Sequence, residues 1–283
     1  MGANHQGEIR DLCALSLPDY GLITSIGKAH LEGFGSFEGV IKAKSELYDH
    51  IRKNKGCLFV NADNDLLIGL SSGAERVFYG GRAKSFVTGT VAGMDPFLSI
   101  NWEKAGSGRK HTVHSQLIGQ YNFDNLLAAI CVGLHFGVEE KAICEALQSY
   151  TPSNNRSELK KTERNVLILD AYNANPSSVT AAIDNFSELD GKKKVLIAGD
   201  MLELGNESEE EHQTILRHIG SKKFSQVILV GKEFEKAKSV LEASYFHSAQ
   251  EALVWLKKHP VSDAIILLKG SRGVKLETLV EAL

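Results

Sequence analysis

The sequence predicts an α/β protein, and two observations support that prediction. From Asn165 onward, apolar runs of strand length alternate with amphipathic stretches of helix length, which is typical of a mostly parallel, doubly wound sheet. The 283 residues suffice for roughly two domains, and 43% of them are hydrophobic, enough for proper cores. We place the boundary in the small polar segment 151–155, which gives domains at 1–152 and 153–283.

The elements follow from the same patterns. In the first half we predict a strand at 22–26, a helix beginning after Ser36, a strand at 57–60, several short strands between 77 and 118, and helices at 126–136 and 141–150. Residues 1–9 give no introductory strand or helix cap. In the second half we predict strands at 165–169, 194–198, 226–230, 245–247 and 264–268, and helices at 177–189, 207–219, 233–242, 249–258 and 274–283.

Composition excludes several classes of function. The net charge is −3 and the basic residues are scattered, so no nucleic-acid surface is expected. No apolar run approaches about 18 residues, so we predict no membrane span, and the amino terminus has no pattern of a secretory signal. None of the four cysteines forms a C-x-x-C pair. We therefore expect reduced, buried thiols in a cytoplasmic protein without a zinc site. We also expect a monomer.

A polar loop at 170–178 follows the apolar run 166–169 and precedes a helix that begins near Pro176. Ligands bind outside the carboxyl ends of strands in open α/β sheets, so this loop is a candidate binding loop. The alternative is an ordinary strand-to-helix turn with an asparagine cap. The loops 199–205 and 269–272 hold similar positions, and all three should meet at one rim of the sheet.

Lys44 lies on the apolar face of the helix that Ser36 begins, between Ile41 and Leu47. One explanation is a lysine whose stem covers apolar surface while its amine reaches water. The other is a desolvated amine with a depressed pKa, which would be reactive or open to modification. The sequence contains no G-x-x-x-x-G-K-[ST] phosphate loop, and we interpret the glycine-containing stretch 106–110 as a hairpin loop.

Seven blocks of this sequence resemble the Mur ligases, the ATP-dependent amino-acid ligases of peptidoglycan synthesis, and they occur in the order of that family. The blocks are MGANHQGEI at 1–9, AHLEGFGS at 29–36, KAK at 42–44, GQYNFDN at 119–125, DAYNANP at 170–176, GDMLELG at 199–205 and KGSR at 269–272. The blocks at 29–36 and 199–205 are most similar to the member that adds D-alanyl-D-alanine to UDP-N-acetylmuramoyl-tripeptide.

The resemblance also implies what this sequence lacks. Mur ligases have an N-terminal domain that holds the UDP-sugar, and their central domain begins with a Gly-Lys-Thr phosphate loop. Neither has a counterpart here, and the chain begins at a methionine that in the family follows a glutamate. We therefore expect a fragment: a truncated central α/β domain of the ATPase type, followed by a complete, doubly wound, Rossmann-like C-terminal domain.

The function implied by the resemblance is ligation that consumes ATP and requires Mg²⁺. The tripeptide carboxylate would be activated as an acyl phosphate, and the amine of D-alanyl-D-alanine would displace the phosphate. Because the phosphate loop has no counterpart, we expect no ligase activity from these 283 residues alone.

The resemblance assigns roles to residues that match the motifs of the family. His30 and Lys44 are the catalytic and metal-binding candidates, with Lys44 carrying a carbamate. The nucleotide candidates are Asn122, Asn125, Arg156, Asp170 and Tyr172. The candidates for the muramoyl-peptide and the dipeptide are Asn4, His5, Asn173, Asn175, Lys269 and Ser271.

Two alternatives stay open at this point. The chain could be a non-catalytic protein that keeps a nucleotide- or peptide-binding rim on this fold. It could also be another ligase of the superfamily, such as a folylpolyglutamate or cyanophycin synthetase, although the blocks at 29–36 and 199–205 argue against this.

Overall fold

The computed structural model describes residues 1–82, 84–94, 96–153, 155–191 and 193–283. They divide into two units, Met1–Gly27 with Gly33–Tyr150, and Lys28–Glu32 with Thr151–Leu283. Each unit contains one six-stranded sheet. The sequence did not predict that Lys28–Glu32 would group with the second unit. The domain boundary between residues 152 and 153 stays a prediction.

The first unit is built on a sheet whose strands lie in sequence order, β1 to β6. Strands β1 to β4 are parallel, and β4, β5 and β6 are antiparallel. The strands are β1 Tyr20–Leu22, β2 Cys57–Asn61, β3 Glu75–Gly80, β4 Val87–Met94, β5 Phe97–Lys104 and β6 Lys110–Ile118. The helices of this half are α1 Glu8–Ser16, α2 Leu31–Phe34, α3 Phe37–Lys53, α4 Asp65–Leu70, α5 Asn122–His135 and α6 Glu140–Ser149.

Helix α3 positions Lys44, and its local sequence explains where it begins. Ser36 caps it by accepting a hydrogen bond from the backbone N–H of Gly39 at 3.2 Å. Its apolar face is buried, and Tyr48 and Ile51 pack in one core cluster with residues of β2. The apolar stripe in the sequence therefore correctly indicated the buried face of this helix.

The antiparallel part of the first sheet confirms the short strands expected between 77 and 118. Strands β5 and β6 pair directly, and the stretch 106–110 lies at their connection, so the hairpin-loop interpretation is also confirmed. One face of these strands carries Ile100, Trp102 and Val113, which pack with residues of α5.

The second unit confirms the predicted mostly parallel sheet, with strand order β11-β10-β9-β12-β8-β7. Only the edge strand β7 is antiparallel to its neighbour. The strands are β7 Glu158–Lys161, β8 Asn165–Asp170, β9 Lys194–Gly199, β10 Gln226–Val230, β11 Ser244–Phe246 and β12 Ala264–Lys269. The helices are α7 Pro176–Glu188, α8 Ser208–Gly220, α9 Lys232–Lys236 and α10 Ala249–Lys258, with 3₁₀ turns at Gly205–Glu207, Arg272–Val274 and Leu276–Ala282.

Both faces of this second sheet are covered, as a doubly wound fold requires. Leu167, Val195 and Ile197 pack in one cluster with residues of α10 and the last 3₁₀ turn. Successive side chains of a strand point to opposite faces. The intervening residues Ile168 and Leu196 are also buried, on the face where α7 packs against β12.

Several elements were predicted inexactly or not at all. The strand predicted at 22–26 is β1 at Tyr20–Leu22, and the edge strand β7 was not expected. Helix α1 was not expected, because its first N–H groups are satisfied by a distant side chain: Glu46 accepts from Gly7 N at 2.6 Å and from Arg10 N at 2.9 Å. The helix predicted at 233–242 ends at Lys236. The last predicted helix is a 3₁₀ helix at Leu276–Ala282. Across the described ranges, no helix is long and apolar enough to cross a membrane.

Candidate functional site

The loops after β8, β9 and β12 form one rim of the second unit, as their positions in the sequence predicted. Asp170 and Lys269 are register partners at the ends of neighbouring parallel strands. The Nζ of Lys269 lies 2.9 Å from Oδ2 of Asp170 and donates to the carbonyl oxygen of Asn173 at 2.7 Å. Because Lys269 is only 3% exposed, this ion pair ties the loop after β8 to β12.

The amides and hydroxyls of the rim organise its loops. Asn175 caps α7 by accepting from the backbone N–H of Ser178 at 2.9 Å. The side chain of Asn173 accepts from Ala174 N at 2.8 Å. Ser271 Oγ accepts from Leu202 N at 2.9 Å and so joins the loop after β12 to the loop after β9. The asparagine cap considered from the sequence is therefore present, and the substrate roles of Asn173, Asn175, Lys269 and Ser271 stay predictions.

Tyr172 lies on the exposed side of this rim, with two arginines beside its ring. The guanidinium carbon of Arg156 is 3.8 Å from the ring centroid, and that of Arg272 is 5.7 Å from it. The neighbouring Ser157 donates its backbone N–H to Oδ1 of Asp170 at 3.3 Å. The structure thus brings together three nucleotide candidates, Arg156, Asp170 and Tyr172. It adds Arg272, which the sequence did not single out as a site residue.

The loop after β9 depends on two buried residues that sequence reasoning missed. Asp200 caps α9, because its carboxylate accepts from the backbone N–H groups of Glu233 and Phe234 at 3.0 Å each. His212 is fully buried; its Nδ1 donates to Ser208 O at 2.6 Å and its Nε2 accepts from Met201 N at 3.1 Å. Burial lowers the pKa of His212, so the imidazole is neutral in the fold. An aspartate directly after a predicted strand was the one available signal.

His30 belongs to the segment Lys28–Glu32, which packs with the second unit. The Nδ1 of His30 contacts the carboxylate of Glu203, and Glu32 N donates to the carbonyl oxygen of Glu203 at 3.1 Å. Lys28 pairs with the buried Glu211 at 2.5 Å, and this hydrogen bond raises the pKa of Lys28. The short segment is thus fixed at both ends. The metal-binding role of His30 stays a prediction.

Lys44 is half-buried on α3. Its Nζ donates to the carbonyl oxygen of Ser25 at 3.3 Å, and within the described part of the chain no carboxylate forms an ion pair with it. Burial lowers the pKa of Lys44, as expected for a desolvated amine. The neutral amine is the form that reacts with carbon dioxide, and a lower pKa increases the fraction of Lys44 in that form. Carbamylation of Lys44 nevertheless stays a prediction.

The two asparagines of α5 contact each other, as their spacing indicated. Asn122 is 8% exposed; its Nδ2 donates to Ile118 O at 2.9 Å and its Oδ1 accepts from Asn125 Nδ2 at 3.1 Å. Asn125 is exposed, so its amide is the more available of the two for a purine edge. Between them lies Asp124, which the sequence did not single out; its burial raises its pKa.

Asn4 and His5 lie in a turn that is held in place rather than frayed. Both donate their backbone N–H groups to one carboxylate oxygen of Glu8, at 2.7 and 3.0 Å. Their side chains are exposed, and their predicted contact with the muramoyl-peptide stays a prediction.

The fit to magnesium depends on the chemistry of Lys44. In the residues that the structure describes, no group of three or more histidine, cysteine, aspartate or glutamate side chains could hold a metal ion. Mg²⁺ prefers oxygen ligands and is often held by few protein groups together with phosphates. Lys44 could supply oxygen only as a carbamate, which its desolvated amine favours.

Comparison with known proteins relates this geometry to one family. Residues 1–133 match the Mur ligase middle domain, and residues 155–272 match the Mur ligase, glutamate ligase domain. The UDP-N-acetylmuramoyl-tripeptide–D-alanyl-D-alanine ligases of Bacillus subtilis strain 168 and Escherichia coli strain K12 are each 32% identical to all of this chain. The chain spans 63% and 64% of their respective lengths.

Solved structures agree with this relationship. A crystal structure of MurF from Acinetobacter baumannii is 28% identical and superposes with a TM-score of 0.87 over 99% of this chain and 63% of its own. MurF ligase from Thermotoga maritima, solved in complex with ADP, shares the fold with a TM-score of 0.85 at 23% identity, over 100% of this chain and 65% of its own.

Proposed function

Because this chain belongs to the Mur ligase family, we propose that it is part of an ATP-dependent ligase that joins D-alanyl-D-alanine to UDP-N-acetylmuramoyl-tripeptide. The observation that carries the proposal is the match to ligases of that name, which runs through both units at 32% identity. The reaction would take place in the cytoplasm, where ATP is available. The four cysteines, all with free thiols, support that location.

The chemistry requires activation, because a carboxylate is a poor electrophile at neutral pH. In the proposed reaction the γ-phosphate of ATP is transferred to a carboxylate oxygen of the tripeptide, which gives an acyl phosphate and ADP. The free amine of D-alanyl-D-alanine then attacks the acyl carbon, phosphate leaves with the bonding electrons, and the amine loses a proton. Negative charge accumulates in both steps, so cationic groups must stabilise it.

In the first unit we propose roles for Lys44 and for the asparagine pair of α5. As a carbamate, Lys44 would present oxygen ligands to Mg²⁺, the type of ligand that this ion prefers. Asn125, supported by Asn122, would pair with the adenine edge, since an amide offers both a donor and an acceptor. Asn4 and His5 would contact the muramoyl-peptide.

In the second unit we propose that the rim holds the nucleotide and the dipeptide. Arg156 would contact ATP phosphates, Tyr172 would lie along the nucleotide, and Asp170 would accept from the ribose hydroxyls. Asp170 already accepts from Ser157 N and pairs with Lys269, and a carboxylate has further lone pairs for a ligand. The candidates for the dipeptide or the acyl phosphate are Asn173, Asn175, Lys269 and Ser271. His30, in the segment that packs with this unit, would offer its Nε2 to Mg²⁺.

The test is ligation by the protein produced from its complete reading frame. We expect phosphate release from ATP that requires Mg²⁺, UDP-N-acetylmuramoyl-tripeptide and D-alanyl-D-alanine together, with the ligated pentapeptide product identified by mass spectrometry. Replacing D-alanyl-D-alanine by glutamate should abolish release, which separates this activity from that of a glutamate-adding ligase. ADP binding without ligation would instead favour a non-catalytic nucleotide-binding protein.

The 283 residues alone provide a matched comparison. They contain no G-x-x-x-x-G-K-[ST] stretch, whose backbone N–H groups cradle ATP phosphates in proteins of that kind. We therefore expect no ligation from them under the same conditions. Product formation by the 283 residues would contradict the expectation that a phosphate loop is needed.

A further inference from the structure

Three neighbouring strands of the second sheet bring two arginines and a tyrosine to one place. Strands β7, β8 and β12 lie side by side, and β7 is antiparallel to β8, so its start is level with the end of β8. Arg156 precedes β7 by two residues, Tyr172 follows β8 by two, and Arg272 follows β12 by three. The three residues are far apart in sequence, yet the sheet order alone makes them neighbours at the carboxyl edge, where ligands bind in folds of this type.

The two guanidinium groups share the Tyr172 ring. The Arg156 guanidinium carbon is 3.8 Å from the ring centroid and that of Arg272 is 5.7 Å from it. Both distances fall within the range of about 6 Å for cation–π attraction. The ring can therefore hold each cation in place, while all three side chains remain exposed to solvent.

The two arginines differ from Lys269 in how their charges are matched. Over the described ranges, neither Arg156 nor Arg272 takes part in an ion pair, whereas the third cation of the rim, Lys269, is paired with Asp170 at 2.9 Å. Two further rim carboxylates are also engaged: Asp200 is buried and accepts two backbone N–H groups of α9, and Glu203 contacts Nδ1 of His30. Two like charges near one ring repel each other, and an anion bound to them would lower that cost.

We propose that Arg156 and Arg272, held by Tyr172, form a two-arginine site that binds a single oxyanion. Planar guanidinium groups match the paired oxygens of carboxylate and phosphate in bidentate geometry, which a lysine ammonium does not. The inference rests on the proposed function for its two candidate ligands, the terminal carboxylate of the incoming dipeptide and a phosphate of the nucleotide. Arg272 is the new member of the site, and Tyr172 acts as its platform.

The experiment follows the Nε–Hε signals of Arg156 and Arg272 by ¹H–¹⁵N NMR in the 283-residue chain. The titrants are sodium phosphate, ADP, D-alanyl-D-alanine and D-alanyl-D-alaninamide, whose carboxylate is replaced by a neutral amide. We expect at least one of the first three to shift both signals together. Shifts with D-alanyl-D-alanine but not with its amide identify the carboxylate as the ligand, whereas shifts with phosphate and ADP identify the phosphate.

Variants test whether the two arginines act as one site. We expect Arg272→Gln to weaken binding by about tenfold or more. Arg272→Lys should weaken it less, because lysine keeps the charge but cannot donate two parallel hydrogen bonds as a guanidinium does. Tyr172→Leu should weaken binding by about threefold, since it keeps both charges and removes the platform. The matched control is Arg217→Gln, which removes the same charge from an exposed position on α8 and should leave affinity unchanged.

Two outcomes would overturn the two-arginine site: no titrant shifts both signals, or Arg217→Gln weakens binding as much as Arg272→Gln. If ADP or the dipeptide binds and Arg272→Gln changes nothing, the site is refuted while the proposed function stands. If phosphate shifts both signals but neither ADP nor the dipeptide binds, the site stands and the proposed function loses support.

Discussion

Lys269 is buried and Lys44 is half-buried, and the two lysines have different partners. Lys269 ends a central strand of the second sheet, and its charge is matched by Asp170 in the adjacent strand at 2.9 Å. Lys44 lies on a helix of the first unit, where its Nζ donates to the carbonyl oxygen of Ser25 at 3.3 Å. Burial lowers the pKa of Lys44, because it removes hydration from the charged amine and no carboxylate among the described residues pairs with it.

The difference separates a structural lysine from a chemically available one. A buried cation with a carboxylate partner in strand register fixes two loops, and its removal leaves the partner charge uncompensated. A partly buried amine without a counter-ion contributes little to stability, and its lowered pKa favours the neutral form. Burial alone therefore does not indicate the role of a lysine, whereas the group that its amine contacts does.

The largest effect is expected from removing the matched charge. Lys269→Met should lower the free energy of unfolding of the second unit by about 3–5 kcal/mol, because Asp170 keeps its charge without its partner. Urea unfolding can follow each unit separately, since Trp255 reports the second unit and Trp102 the first. The measurement uses Trp255 fluorescence in a Trp102→Phe background.

Two variants control this result. Lys257→Met breaks an exposed ion pair with Glu281 on the same unit and should cost less than about 1 kcal/mol. Combining Lys269→Met with Asp170→Asn removes both charges and should recover most of the loss. If the single and double variants were equally destabilised, the ion pair would not be what joins the rim loops.

His212 sharpens the comparison, because it is a buried base whose two ring nitrogens form hydrogen bonds with backbone groups. Its pKa in the fold lies below its ordinary value, since burial outweighs the attraction of Asp200, Glu233 and Glu211. In the unfolded chain it takes up a proton below about pH 6.5, whereas the folded form does not. The second unit should therefore lose stability as pH falls through 6.5, by about 1.4 kcal/mol for each pH unit until the folded pKa is reached.

His212→Gln isolates this contribution. Its amide can donate to Ser208 O and accept from Met201 N, as the imidazole does, but it does not titrate. We expect the urea midpoint of the second unit to fall less steeply between pH 7.5 and 5.5 in this variant than in the parent chain. Parallel pH profiles would show that His212 is not the titrating group.

The fold was largely predictable because its signals are local. Apolar runs of strand length locate five of the six strands of the second sheet to within one residue at each end, and only its edge strand β7 was not predicted. Ser36 and Asn175 mark their helix starts by capping. Helix α1 was missed because Glu46, distant in sequence, satisfies its first N–H groups. Helix α9 also depends on a residue distant in sequence, since the carboxylate of Asp200 accepts the backbone N–H of Phe234 near its start.

The sequence predicted where the candidate site residues lie, but not which of them contact each other. Strand ends and motif resemblance identified Asp170, Tyr172 and Lys269, because both signals are carried by consecutive residues. They did not reveal that Lys269 is neutralised by Asp170, or that Arg272 and Arg156 share one ring. Such pairings depend on which strands are adjacent in the sheet, and strand order is not encoded in any single stretch of sequence.

The smallest stability effect is expected at Lys44, and a small effect there is what distinguishes Lys44 from Lys269. Lys44→Met keeps the length of the side chain and removes an amine that gains little from its surroundings, so unfolding of the first unit should change by no more than about 1 kcal/mol. The chemical effect should be complete: with ¹³C-bicarbonate, the parent chain should show a carbamate signal by ¹³C NMR that this variant lacks. Lys42→Met, five residues after the start of α3 but on its exposed side, should keep that signal. A loss of several kcal/mol in Lys44→Met would mean that Lys44, like Lys269, has a structural partner, and the distinction between the two lysines would fail.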